Sequence, residues 1–359
     1  MIRPLTILAS AMLAGSLLAF ADQPDLPAYP DHSDLLAIRG ATGEVRRVTT
    51  QADWAVRRAH ILGHVQRVMG PLPGDERRVP LNVTWGESID RPGYVRRKVS
   101  YASEPRDRVP AWLLIPKGGG ARRPAILCLH QTIPIGKDEP VGLGTNSELR
   151  YAEELAERGY VCLAPDYPNR GEHKVDPYAL GYASTSMKAI GDDLRGVDLL
   201  AGLAEVDPDR IGVIGHSLGG HGAIFAALFD DRIKAIVSSS GFNSFPNYRG
   251  GDLSGWSHDG YMPRIRTMFG RDPRQVPFDF PELVGALAPR PFYANAPLHD
   301  NNFPVEGVDA CFRAAGPIYR LFGAENRLKV AHPDAPHAFP KAQRVEAYEF
   351  LDRSFGIQR

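Results

Sequence analysis

From about residue 95 to the C-terminus, the chain alternates between short apolar runs and longer segments with apolar residues at helical spacing. A continuous apolar run such as 125–129 is typical of a strand buried on both faces. Helical patterns separate one such run from the next. This alternation predicts an α/β fold with a mostly parallel central sheet and helices on both faces.

The same patterns predict the individual elements. The first two strands alternate polar and apolar residues around a short turn, so we expect them to pair antiparallel at the N-terminal edge of the sheet. The predicted strands are 95–101, 109–115, 125–129, 160–164, 211–215, 233–238, 291–296 and 328–331. The predicted helices are 147–158, 190–203, 219–229, 305–315 and 345–355.

The first 21 residues differ chemically from the rest of the chain. A short positive head precedes an apolar run at 5–20, and Ala19-Phe20-Ala21 is a small-x-small cleavage pattern. These features predict a secretory signal peptide at 1–21 and export to the periplasm or the outside. A membrane anchor is the alternative, but the apolar run is shorter than the roughly 20 residues of a spanning helix. We therefore expect no stable membrane insertion after cleavage.

Three further regions follow the leader. Residues 22–94 are expected to form an extension packed on the core, with a helix opened by a capping-box pattern at 50–53. Residues 95–359 are expected to form one catalytic domain. Within it, the segment 243–281 is rich in Gly, Pro and aromatic residues and predicts a long inserted loop, a feature that is usually functional.

Composition excludes one class of partner. The chain has 42 Lys+Arg and 42 Asp+Glu, and it contains no basic run, so its charge does not favour nucleic-acid binding. The three cysteines, Cys128, Cys162 and Cys311, lie in apolar patterns and are interpreted as small buried side chains. The oligomeric state is left open.

The clearest chemical motif is Gly215-His216-Ser217-Leu218-Gly219. This G-x-S-x-G pattern follows a predicted strand and opens a predicted helix, which is the context of a nucleophilic serine on a tight turn. The helix N-terminus offers unpaired N–H groups and the positive end of a dipole, both of which favour an oxyanion. Ser217 is therefore the candidate nucleophile.

A nucleophilic serine needs a base and an orienting acid, and candidates for both follow later strands. Asp300 comes after the predicted strand 291–296, and His337 comes after the last strand. His332 is the rival base, but it lies at a strand end, and Asp334 is the rival acid, but it is three residues from His337. Three further histidines are interpreted as packing residues or as supports of the site: His216, His221 and His299.

The oxyanion hole is predicted to combine two backbone N–H groups. One belongs to Leu218 and the other to Gln131, in the loop after strand 125–129. His130 is expected to hold this loop and is a candidate substrate-binding residue, together with Trp256 and Tyr261 of the inserted loop. The aromatic residues of that loop could instead form its local core. No metal or other cofactor is predicted, because no cluster has ligand spacing.

On these motifs the chain resembles the α/β-hydrolase superfamily. Within it, the G-x-S-x-G motif at 215–219 and the segments 130–132 and 136–140 are similar to one branch. That branch contains acetyl xylan esterases, dienelactone-hydrolase-like proteins and prolyl-oligopeptidase-type domains. Dienelactone hydrolases use a cysteine where this chain has Ser217. Glucuronoyl esterases place an arginine after the nucleophile, where this chain has Leu218. A prolyl oligopeptidase carries an N-terminal propeller, which we do not expect in residues 22–94.

The resemblance implies a serine esterase that works through a Ser-His-Asp triad and an acyl-enzyme. The implied substrate is a small-molecule or polysaccharide-derived ester, acetylated xylan among the possibilities. Two alternatives stay open: a peptidase of the prolyl-oligopeptidase type, and a non-catalytic binding protein on a hydrolase scaffold.

Overall fold

The computed structural model describes residues 26–40 and 42–358. The predicted signal peptide at 1–21 lies outside these residues. Within the described ranges, every helix is too short or too polar to span a bilayer.

The described chain contains eleven strands, of which nine form one sheet. Strands β1 and β2 form a separate antiparallel ribbon at Ala37–Arg39 and Val45–Arg47. The sheet strands are β3 Thr84–Asp90, β4 Tyr94–Glu104, β5 Asp107–Pro116, β6 Arg123–Leu129, β7 Val161–Pro165, β8 Val206–His216, β9 Ile233–Ser239, β10 Phe292–Asn295 and β11 Leu328–Ala331.

The order of the sheet is β11-β10-β9-β8-β6-β7-β5-β4-β3. The six strands β6 to β11 are parallel to one another. Strands β3, β4 and β5 pair antiparallel at the N-terminal edge, where β5 also pairs antiparallel with β7. This arrangement confirms the predicted fold class. All parallel strands end at the same edge, so the loops that follow β6, β8, β10 and β11 meet there.

Helices cover both faces of the sheet. They are α1 Gln51–Met69, α2 Tyr151–Glu157, α3 Thr185–Gly202, α4 Leu218–Phe229, α5 Arg264–Thr267, α6 Phe280–Ala286, α7 Val305–Leu321 and α8 Lys341–Ser354. The larger core lies beneath α1, α3, α4, α6 and α7, and the smaller one beneath α2 and α8. Alternate residues of β6 enter the two cores, Leu127 the larger and Cys128 the smaller, so this strand is buried on both faces.

The segment before the sheet packs on the larger core through α1. Thr50 caps this helix in a reciprocal bond pattern with Asp53, as its sequence indicates. The buried side of this helix carries Trp54, Ile61 and Val65. The Arg57 guanidinium, also fully buried, pairs with Glu282 of α6.

The segment 243–281 is folded rather than extended. It contains short 3-10 turns, helix α5 and the start of α6, and most of its larger apolar side chains lie in the main core. Phe245 and Leu253 are completely buried. Its aromatic residues therefore form a local core, the alternative that the sequence left open.

The cysteines are buried as expected, in β6, β7 and α7, and all three are free thiols. Burial raises the pKa of the Cys311 thiol well above its usual value, which keeps it uncharged.

Candidate active site

Ser217 occupies a strained turn between β8 and α4. Its backbone has φ 54° and ψ −115°, a positive φ that is uncommon for a residue with a side chain. Its N–H donates to the Ser239 carbonyl oxygen at 2.8 Å, which fastens the turn to β9. Strain of this kind is typical of a nucleophile elbow.

Two glycines make this turn possible. A Cβ atom on Gly215 would lie 2.1 Å from the Gly219 carbonyl oxygen. A Cβ atom on Gly219 would lie 1.9 Å from the Leu129 carbonyl oxygen at the end of β6. Both clashes are with backbone, which cannot move aside. The G-x-S-x-G pattern therefore lets the start of α4 approach the loop that follows β6.

His337 and Asp300 meet at the same edge of the sheet. The His337 Nδ1 atom lies 2.8 Å from Asp300 Oδ2, and the side-chain exposures are 31% and 0%. Burial opposes ionisation of Asp300, but the bonds from His337 and from the Asn302 and Phe303 N–H groups lower its pKa below the usual value. Asp300 is thus held as a carboxylate, which orients the imidazole.

The rival residues have other partners. Asp334 lies 2.7 Å from His299 on the exposed surface. His332 contacts the Ala296 carbonyl oxygen at 2.9 Å and the Asp309 carboxylate at 3.1 Å. Within the described residues, neither rival side chain forms a hydrogen bond or an ion pair with Asp300 or His337.

The elbow and the imidazole are neighbours. His216, the residue before Ser217, places its ring centroid 4.9 Å from that of His337. Ser217 is half-buried, and within residues 26–40 and 42–358 its hydroxyl has no hydrogen-bond partner. Contacts between a nucleophile and its base often tighten only when substrate binds.

His130 holds the loop after β6. Its Nε2 atom accepts from the Tyr167 N–H at 2.9 Å, so its Nδ1 carries the proton and donates to the Gln131 carbonyl oxygen at 2.6 Å. The residue is 3% exposed, and burial lowers its pKa, so it is neutral. Both ring nitrogens are occupied within the protein. His130 therefore supports the loop, and its candidacy for substrate binding is corrected.

The two predicted oxyanion donors are available. Neither the Leu218 N–H nor the Gln131 N–H donates a hydrogen bond in the described part of the chain. Leu218 is the first residue of α4, where N–H groups have no partner within the helix. A cavity of about 30 Å³ is lined by Leu218, His130 and residues of α3.

A buried ion pair stabilises the loop that follows β6 and carries Gln131. Lys137 Nζ lies 2.8 Å from Asp166 Oδ2, and the Asp166 Oδ1 atom accepts the Lys137 N–H at 2.7 Å. Gly136 is required here, because a Cβ atom would lie 2.1 Å from Asp166 Oδ1 and φ is +55°. The loop that carries Gln131 is therefore fixed to the end of β7.

The two aromatic candidates differ. Trp256 is 2% exposed and packs against His221, Phe245 and Phe280, so it is a core residue and offers no face for a sugar ring. This burial corrects the prediction that Trp256 binds substrate. Tyr261 is half-buried, and its hydroxyl lies 2.9 Å from the exposed Thr132 Oγ1, next to Gln131. Tyr261 thus touches the oxyanion loop.

One cluster of metal-ligand type exists among the described residues. Ligand atoms of Asp107, His173 and Asp192 lie within 4.8 Å of one another. The Lys188 ammonium enters this cluster and lies 2.6 Å from Asp107 Oδ2, and it also pairs with Asp192. A cation of the protein itself therefore fills the position, and the cluster does not fit a metal ion.

Two family models match parts of the chain. The model described as the dienelactone hydrolase family covers residues 109–249, which include Gln131 and Ser217. The model described as fungal glucuronyl esterase covers residues 192–323, which include Ser217 and Asp300. The chain belongs to the α/β-hydrolase superfamily. The comparisons indicate that this hydrolase is a carboxylic ester hydrolase.

Individual relatives are similar in sequence to most of this chain. YtaP of Bacillus subtilis is 27% identical over 302 residues, which are 80% of this chain and 96% of YtaP. The 4-O-methyl-glucuronoyl methylesterase of Hypocrea jecorina is 24% identical over 331 residues, which are 86% of this chain and 67% of that enzyme.

A solved structure shows the same fold. A glucuronoyl esterase from Solibacter usitatus superposes with a TM-score of 0.71 at 19% identity, covering 92% of this chain and 100% of that chain. Leu218 follows Ser217, at the position where the sequence resemblance to glucuronoyl esterases would place an arginine.

Proposed function

We propose that this hydrolase cleaves a carbohydrate-derived carboxylic ester, with Ser217 as nucleophile, His337 as general base and Asp300 as the orienting acid. One observation carries the proposal: a bonded His337–Asp300 pair packs against His216, and the next residue, Ser217, is held at positive φ. Two available N–H groups, of Leu218 and Gln131, support it.

In the acylation step, His337 Nε2 accepts the proton of the Ser217 hydroxyl as the Oγ atom attacks the ester carbonyl carbon. The N–H groups of Leu218 and Gln131 donate to the resulting oxyanion. Asp300 stabilises the imidazolium through Nδ1. Collapse of the intermediate breaks the ester C–O bond, and the alcohol leaves with the proton from His337.

Deacylation repeats these roles with water. His337 removes a proton from a water molecule, the hydroxide attacks the acyl carbon, and Ser217 leaves with the proton returned by His337. The products are a free acid and the regenerated enzyme. No step draws on a metal or cofactor.

The carbohydrate part of the proposal has separate support. The relatives include enzymes named glucuronoyl esterases, whose ester joins a uronic acid to an alcohol. Leu218 supplies no charge beside the nucleophile, whereas Tyr261 and Thr132 border the oxyanion loop and offer hydroxyls to a polar substrate. An acetylated sugar and a methyl glucuronate are therefore both substrates to test.

We also propose export of the hydrolase, from the leader sequence at 1–21. The mature N-terminus of protein secreted by a bacterial host tests this directly. Cleavage after Ala21 supports export, and an intact Met1 with cell-retained protein contradicts it.

A kinetic comparison tests the triad. Ser217→Ala and His337→Ala should each lower turnover of an aryl acetate by about 10⁴-fold or more. His332→Ala is the matched control, since it removes a histidine from the same region that pairs with Asp309 instead of Asp300. Full activity of Ser217→Ala would remove Ser217 from the mechanism.

A substrate panel tests the ester class. Acetate, ferulate and methanol release from plant polysaccharides and methyl glucuronate should be measured beside peptide amides. The proposal requires hydrolysis of at least one carbohydrate ester well above the amide rate. Faster cleavage of amides would instead support a peptidase.

A further inference from the structure

Three polar side chains form a row at the carboxyl ends of adjacent parallel strands. His216 ends β8, Ser239 ends β9 and Asn295 ends β10. The register pairs His216 with Ser239, and Ser239 with Asn295. All three are buried, at 1%, 0% and 1% exposure. Residues in register on parallel strands point to the same face, so the three side chains meet.

Hydrogen bonds join the three side chains, and each donor points from Asn295 toward His216. The Asn295 Nδ2 group donates to Ser239 Oγ at 2.8 Å and to the Ala338 carbonyl oxygen at 2.9 Å, which uses both amide protons. Among the described residues, Ser239 Oγ has two hydrogen-bond partners, and only His216 Nδ1, at 2.9 Å, can accept the Ser239 hydroxyl proton. His216 therefore carries its proton on Nε2.

Both ends of the row reach His337. At one end, the His216 ring lies 4.9 Å from the His337 ring, centroid to centroid, with an angle of 55° between the planes. At the other end, Asn295 holds the carbonyl of Ala338, the residue after His337. His337 itself lies in an irregular segment outside helix and strand. The row thus ties this segment to three rigid strands.

We propose that His216, Ser239 and Asn295 are positioning residues that hold the His337 imidazole and its loop in place. The inference rests on the proposed function, in which His337 is the base. A misplaced base affects the chemical step more than ground-state binding, because small displacements of reacting groups lower the rate steeply.

The charge state of the row suits this role. Burial, and then the neighbouring His337, lowers the pKa of His216 to about 3. The titratable groups that face His216 are His337 and Asp300. His216 therefore stays neutral when His337 becomes an imidazolium, and it adds no positive charge beside it.

Substitutions can separate the parts of the row. Asn295→Asp keeps the shape but loses both donated bonds. His216→Phe keeps a ring but loses the acceptor, whereas His216→Asn keeps an acceptor near the Nδ1 position but loses the ring. Ser238→Ala is the matched control, since Ser238 is equally buried beside Ser239 but its hydroxyl has no partner in the described chain.

We expect Asn295→Asp and His216→Phe each to lower kcat on an aryl acetate by about 10-fold to 100-fold, with KM within about 2-fold. Ser238→Ala should keep kcat within about 2-fold, a change too small to count as lost transition-state stabilisation. Unchanged kcat in both row variants would overturn the inference. An equal loss in Ser238→Ala would also overturn it, because general packing would then explain the effect.

A second readout does not depend on turnover. In the wild type, ¹⁵N NMR of the imidazoles should show His216 protonated on Nε2 and a sharp Nδ1–H resonance from His337 bonded to Asp300. His216→Phe and Asn295→Asp should broaden the His337 resonance, and Ser238→Ala should keep it. A His216 proton on Nδ1, or an unaltered His337 signal in both variants, contradicts the row. An intact row in a wild type that cleaves no ester would instead overturn the proposed function alone.

Discussion

His337 Nδ1 lies 2.8 Å from Asp300 Oδ2, although the two residues are 37 positions apart in the chain. The contact exists because β10 and β11 are adjacent parallel strands, and the loops that follow them leave the sheet at the same edge. The carboxylate accepts the Nδ1 proton, which leaves the Nε2 atom free to act as a base. This tautomer is the one that triad chemistry requires.

Asp300→Asn should lower kcat on an aryl acetate by about 10²-fold to 10⁴-fold. An amide in this position can donate to Nδ1 and so stabilise the wrong tautomer of His337. Steady-state kinetics measures the loss. Asp334→Asn is the control, because Asp334 pairs with His299 at the surface, and a larger loss in this control than in Asp300→Asn would contradict the assignment of the acid.

Gly219→Ala should destabilise the fold by about 1–3 kcal/mol or more, because the new Cβ atom would overpack a rigid site. The clash is with the Leu129 carbonyl oxygen, 1.9 Å away. The Gly219→Ala substitution should also abolish ester turnover, because the start of α4 would have to move to remove the clash. Gly202→Ala, at the end of α3 where a Cβ meets open space, should instead stabilise by about 0.5–1 kcal/mol. Urea unfolding compares the two, and equal effects would be inconsistent with a backbone clash at Gly219.

Arg57→Met should cost about 3–5 kcal/mol of unfolding free energy, because it leaves the buried Glu282 carboxylate with only part of its pairing. Both side chains are 0% exposed, and His32 lies 2.8 Å from the same carboxylate. The double variant Arg57→Met/Glu282→Gln should recover much of this loss, and a double-mutant cycle by urea unfolding measures the coupling.

Low pH should weaken the contacts of the Glu282 carboxylate with Arg57 and His32. Burial opposes ionisation of Glu282, but bonds from His32 and Arg57 lower its pKa below the usual value. A carboxylate with a lowered folded pKa contributes stability above its unfolded pKa, which is lost as pH falls through the folded value. The difference between the wild type and Glu282→Gln should therefore shrink in acid, and a difference independent of pH would argue against an ionised Glu282.

Asp193→Asn should stabilise the protein at neutral pH by about 1–3 kcal/mol. Asp193 lies in α3, and burial, followed by the adjacent Asp192, raises its pKa well above the usual value. The contribution of Asp193 to wild-type stability is then most favourable below its unfolded pKa of about 3.9 and becomes less favourable as pH rises toward the folded value. The advantage of the variant should vanish near pH 4, as thermal unfolding at several pH values would show. Asp192→Asn, which removes a partner of the buried Lys188, should lose stability instead.

The core of the fold was predictable because its strands are buried on both faces. The apolar run at 125–129 became β6, and the run at 233–238 became β9, each within two residues of the predicted ends. The outer strand β3 was not predicted, since almost all of its residues are exposed and no apolar alternation marks it. Helix α3 begins at Thr185, before the predicted 190, because the buried Ser184 caps it.

The candidate site was predictable where a motif marks it. Ser217, Asp300 and His337 follow strands in a recognisable order, and the structure brings Asp300 and His337 together while His216 joins them to the elbow. Ser239 and Asn295 were missed, because a polar residue at a strand end is common and only the register between strands makes them partners. The burial of Trp256 likewise depends on long-range packing with α6 and α4.

The central claim is that Ser217 is the residue that becomes acylated. Reaction of the hydrolase with a fluorophosphonate, followed by peptide mapping with mass spectrometry, tests it most directly. We predict one modified residue, Ser217, with no labelling of Ser217→Ala and slower labelling of Asp300→Asn. An unmodified Ser217 in an enzyme that still hydrolyses esters, or modification of a different serine, would contradict the account.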